Sequence, residues 1–74
     1  MTNQILSAHV FPSKCDIVQC VVLSRKDDRY EVTTKRQHAY RLFEPIYTYE
    51  SFHSLSFALK RFKVLKAKYR KEFA

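Results

Sequence analysis

Two cysteines, Cys15 and Cys20, and three histidines, His9, His38 and His53, are the side chains of this sequence best suited to bind a metal or attack an electrophile. Structural zinc sites usually pair their ligands at short spacing on turns. Here the pair is C-x4-C inside "CDIVQCVVLS" (15–24), a β-branched, apolar run that reads as a strand. Five positions along a strand put the two thiols on opposite faces, with Cα atoms about 16 Å apart at ~3.3 Å per residue. A disulfide needs less than about 7 Å. The expectation is reduced structural thiols, with no metal. Nucleophilic catalysis needs a base beside the nucleophile and an acid to orient it. Cys15 and His38 can meet only across a sheet, and nothing in the sequence brings them together. Asp27 and Asp28 are adjacent in a polar turn and suit capping better than acid–base work. Glycine is absent, which removes the Walker and dinucleotide loops that cradle phosphates. The chain is therefore expected to be no enzyme and to carry no cofactor.

The elements that position these residues follow from periodicity. Seventy-four residues make one domain. A chain this short buries only about 60–65% of its unfolded surface, so its stability is marginal. Alternation predicts strands over about 4–11, 15–24, 29–35 and 38–43. Pro12 ends the first, and Glu44-Pro45 bends or ends the last. A loop of about five residues, "RKDDR" (25–29), joins the second and third into a hairpin. Positive φ, where a turn needs it, must fall to Asn, Asp, His or Lys. A helix is expected over about 50–72, capped by Thr48 or Ser51, with Glu50 at the positive end of its dipole. At about 33 Å it would overhang so small a sheet. The fold class is α+β: a small antiparallel sheet of three to four strands, then one long C-terminal amphipathic helix packed on one face.

That helix has two sides. Advancing ~100° per residue gathers Phe52, Leu55, Ala58, Leu59, Phe62, Leu65, Tyr69 and Phe73 into one arc of roughly 140°, wide enough to face a core. Lys66 intrudes, with its stem expected along apolar surface and its ammonium in water. On the far side Phe57 and Val64 lie one above the other, amid Lys60, Arg61, Lys68 and Lys71. "FALKRFKVLKAKYRKEF" (57–73) holds seven of the chain's fourteen cations and one of its seven acids, so most of the formal charge of +7 rides on this element. Strand 15–24 is also two-sided. Ile17, Val21 and Leu23 line one face, and Val18, Cys20 and Val22 the other. One helix covers only one of these. The second calls for the N-terminal strand folded over it or for another copy of the chain, and a homodimer is the expectation.

Localised positive charge points to an anionic partner. The leading expectation is a nucleic acid, DNA or RNA, held with little sequence specificity by Lys60, Arg61, Lys63, Lys68, Arg70 and Lys71, with Phe57 and Val64 in contact. The helix has no Asn or Gln to read bases. The alternative is a protein–protein interaction module, a regulator or inhibitor of the phage or plasmid accessory type, docking on an acidic protein surface. There Phe57 and Val64 are the anchor and the cations steer the approach. Tyr47 and Tyr49 offer a weaker stacking platform. An interfacial membrane helix would need the apolar stripe that the sheet already claims. No segment approaches the roughly 18 apolar residues of a membrane span, and "MTNQILSAHVF" lacks a basic signal-peptide start. The expected location is the cytoplasm.

Overall fold

Four segments of the chain, each carrying β-branched or aromatic residues, become the strands of one antiparallel sheet. A computed structural model describes residues 3–11, 16–38 and 44–73. Strands β1 (Asn3–Phe11), β2 (Ile17–Lys26), β3 (Arg29–His38) and β4 (Ile46–Phe52) lie side by side in chain order, followed by helix α1 (Leu55–Glu72). β2 and β3 pair from Ile17↔His38 to Lys26↔Arg29, which leaves Asp27-Asp28 as a two-residue turn in place of the expected five. Asp27 turns the chain at φ 51°, and Asp16 takes φ 60°. In a chain without glycine, aspartate fills these left-handed positions because its short side chain tolerates them.

The last strand and the helix start differ from expectation. "IYTYESF" (46–52) is β4, in register with β3 from Tyr30↔Phe52 to Arg36↔Ile46. Its aromatic and β-branched residues suit a pleated surface, and β3 supplies the ladder that fixes it there. Thr48 and Ser51 are therefore strand residues and not caps. The helix begins five residues later than expected, at Leu55, after Ser54 in an extended conformation. The Ser54 carbonyl accepts from the Ala58 amide at 3.1 Å, while the Ser54 and Ser56 hydroxyls bond each other. The strand expected over 38–43 has His38 as the last residue of β3, and 39–43 lie outside the described residues. Cys15 lies outside them as well.

The core forms between one face of the sheet and one stripe of α1. Phe11, Val21, Leu23 and Val32 come up from the strands to meet Ala58, Phe62, Leu65 and Tyr69. Tyr30, Phe52 and Phe73 pack around them. Phe11 ties the first strand to the last helical turn, with its ring 5.9 Å from Tyr69 and 6.5 Å from Phe73. The buried stripe is narrower than the apolar arc: Leu55 and Leu59 stay exposed at its edge. Nor does the helix overhang. Its 18 residues span about 27 Å, against about 33 Å for a ten-residue strand.

Arg36 holds the helix end down. Its guanidinium donates to Glu72 Oε1 at 2.7 Å and through Nε to Gln19 Oε1 at 2.8 Å, and it lies 5.7 Å from the Phe73 ring centroid. Gln19 is 1% exposed, and its amide nitrogen donates to the Cys20 carbonyl at 3.2 Å. Arg36→Ala strands the Gln19 oxygen in the interior, at a cost of about 1–3 kcal/mol. The half-exposed pair with Glu72 adds little, about 0–1 kcal/mol. Urea unfolding is expected to show Arg36→Ala clearly destabilised and Glu72→Gln nearly native; equal losses would contradict this division.

Alternation along β2 places its residues as the sequence predicts. Val21 and Leu23 are buried beneath the helix, and Val18, Cys20 and Val22 lie half-buried on the opposite face. β1 does not fold over that face; it extends the sheet as an edge strand beside β2. Among the described residues, nothing covers the second face.

Candidate nucleic-acid interface

Helix α1 anchors its cations rigidly because its buried stripe is clamped to all four strands. Seven lysines and arginines lie between Lys60 and Lys71, with Glu72 as the one acid of the helix. Its last turn holds Arg70 and Lys71 at the negative end of the dipole, and its first turn holds no acid. The cations at the C-terminal end suit the helix direction, while the positive end has no acid to match it.

Lys60, Lys63, Lys68, Arg70 and Lys71 are exposed. Among the described residues, none of the five forms an ion pair; the helix's cations meet a carboxylate of this chain only at Arg61. That side chain lies against Glu50 of β4, with Nε 3.2 and 3.0 Å from the two carboxylate oxygens. The sequence places Glu50 in the helix. Its place in β4, on the face that α1 covers, brings it to Arg61 instead. Arg61 therefore belongs to the packing of α1 on the sheet and is not one of the unengaged cations.

The exposed cations divide between two flanks. On one, Phe57 is 66% exposed and Val64 is 51% exposed, with Lys60, Lys68 and Lys71 around them. The Lys68 ammonium lies 5.8 Å from the Tyr69 ring centroid. On the other flank, Lys63, Lys66, Ala67 and Arg70 line an open notch of about 220 Å³. Lys66 is half-buried, and its ammonium lies 5.4 Å from the Phe62 centroid, so its stem follows the apolar edge as predicted. The sequence reading did not include Lys66 in the interface. Its signal was the spacing: positions 63, 66, 67 and 70 stand three or four apart and share one flank of a helix. Three cations around a small alanine make a place where an anionic oxygen can approach several donors at once.

The remaining sequence candidates are scattered. His9 packs against Phe11 with centroids 4.4 Å apart and the rings tilted by 51°, Cys20 is a free thiol on the uncovered sheet face, and His53 lies between β4 and the helix. Among the described residues, no three His, Cys, Asp or Glu side chains gather as a metal site would require. Among the described residues, no helix is long and apolar enough to cross a membrane. Tyr47 and Tyr49 stand exposed on the uncovered face of β4, with centroids 6.2 Å apart. The fold and this surface define a class: a four-stranded antiparallel meander backed by a cationic helix. Comparison with protein-family models, curated proteins and solved structures gives no significant match.

Proposed function

We propose that this protein is a non-enzymatic binding module whose C-terminal helix grips the phosphodiester backbone of DNA or RNA with little regard to sequence. One observation carries the reading. Of the seven cations on α1, six have no carboxylate partner among the described residues, and only Arg61 does. Unpaired cations held on a rigid rod bind a polyanion at little ordering cost, and release of condensed counterions drives the association. Contacts of this kind set position and do not read bases. Titration into fluorescent duplexes of unrelated sequence is expected to give similar affinities, and preference for a single sequence would reject the reading.

A second reading, docking on an acidic protein surface, draws support from the exposure of Phe57 and Val64 amid cations. Phe57→Ala separates the two. Loss of an anchor aromatic costs a protein interface about 2 kcal/mol or more, roughly 30-fold in affinity. Generic duplex binding is expected to change by less than about threefold, because the phosphate contacts remain. The uncovered sheet face we assign to self-association.

A further inference from the structure

The uncovered face joins residues from all four strands. Ile5, Ala8 and Val10 of β1 pair with β2, where Val18, Cys20 and Val22 continue the surface. Thr33 and Lys35 of β3 face Tyr49 and Tyr47 of β4. Ile5 is 69% exposed, Val10 57% and Tyr49 64%. A sheet with one wet face normally alternates apolar-in with polar-out. Here the outward side of β1 and β2 carries Ile5, Ala8, Val10, Val18, Cys20 and Val22 instead.

The charge of this face says what covers it. Lys26 pairs with Glu31 at 3.0 Å and Arg29 with Asp28 at 3.8 Å, which leaves Lys35, 5.9 Å from the Tyr47 centroid, as the one cation of this face without a carboxylate among the described residues. A face with so little surplus positive charge is poorly matched to a polyanion. It is better matched to a second copy of a chain whose surplus charge rides mostly on the helix of the other side. Face-to-face sheets pack about 10 Å apart. The two cationic helices would then lie on opposite outer sides, farther apart than the ~10 Å screening length in 0.1 M salt. The size is adequate. Four strands ~4.8 Å apart and about seven residues long cover roughly 450 Å² in projection, or roughly 900 Å² over two copies before side-chain relief is added. Biological interfaces begin near ~1,000 Å².

We infer that two copies close this face to form a helix–sheet–sheet–helix dimer, which holds two separate nucleic-acid segments at once, one on each outer helix. The dimer rests on the sheet face alone; the bridging rests also on the proposed reading of the helix. Each helix looks away from its mate, so one straight duplex cannot engage both. Two duplexes can.

The test uses Val10→Lys/Tyr49→Lys, both at exposed positions, so that circular dichroism is expected to stay native. Light scattering at high micromolar concentration is expected to give twice the chain mass for the natural protein and the single chain mass for the variant. Mixed duplexes carrying donor and acceptor dyes are expected to show energy transfer with the natural protein. With the variant that transfer is lost, while its affinity for a single duplex falls by less than about threefold. A natural protein that is monomeric, or a variant that remains dimeric, overturns the assignment of the face. A dimer that binds single duplexes without energy transfer overturns the bridging. A dimer that binds no duplex in either form fails the helix reading, and the bridging with it, while the interface stands. Loss of binding to a single-stranded oligonucleotide, titrated in parallel, by a variant whose mass is unchanged would give the face to nucleic acid and overturn the proposal.

Discussion

Phe62→Ala is expected to remove a large share of the stability of the domain. Phe62 is 3% exposed at the centre of the cluster formed by Val21, Leu23, Val32, Ala58 and Leu65. Truncating a buried phenylalanine costs about 3–5 kcal/mol, through lost transfer energy and the cavity that remains. A chain of this length has about 4–11 kcal/mol to lose, at ~0.05–0.15 kcal/mol per residue. One side chain therefore holds a large share of the total. The expected fall in Tm is about 12 °C or more, at ~4–8 °C per kcal/mol for so small a domain. Phe57→Ala on the same helix is the internal control, because Phe57 is 66% exposed and surface changes stay within about 0.5 kcal/mol. A thermal melt in which the two variants behave alike would show that the helix does not pack as described.

The second large effect is on binding. Lys63, Lys66 and Arg70 line one notch, and no carboxylate among the described residues engages them. Replacing all three by alanine keeps the buried stripe intact, and alanine favours helix, so the fold is expected to survive. Each phosphate contact removed lowers the salt slope by about one, so the triple variant is expected to lose about three. At low salt its affinity for duplex is expected to fall at least about 100-fold, uniformly across sequences. Arg61→Ala tests the same logic from the other side. It removes a cation already held by Glu50, so its salt slope is expected to be unchanged. A triple variant with native affinity would move the interface away from this flank.

How much of this was legible in the sequence depends on how local each signal was. The class of fold was readable, because β2 alternates between two apolar sets and α1 repeats with helical period. The stripe of Ala58, Phe62, Leu65 and Tyr69 followed from that period alone. The fourth strand was not readable in "IYTYESF". Tyr47 and Tyr49 alternate with Thr48 and Glu50, but the aromatic side is the exposed one and the segment runs directly into the helical period, so it reads equally as the start of the helix. The Thr34 hydroxyl bonds that of Thr48, and Arg61 bonds Glu50, from elements distant in sequence. These partners fix the strand, and a local reading sees neither. Arg36 was equally hidden. It falls between the strands expected over 29–35 and 38–43 until the fold places it in β3 and brings Gln19 and Glu72 to it.

The six unengaged cations were foreseen as a group but not one by one. Composition located the surplus charge on α1. Only the position of Glu50 removes Arg61 from the set, whereas the spacing of positions 63, 66, 67 and 70 already pointed to Lys66. The uncovered sheet face was implied by the doubly apolar β2, and placing β1 beside it in the same sheet removes one of the two ways of covering it.

The most direct measurement is the dependence of duplex affinity on salt. With up to six cations meeting phosphates, log K against log salt is expected to fall with a slope between about −3 and −5, at ~0.9 per phosphate. A flat response, or no binding at about 50 mM salt, would contradict the assignment of this helix to a nucleic-acid backbone.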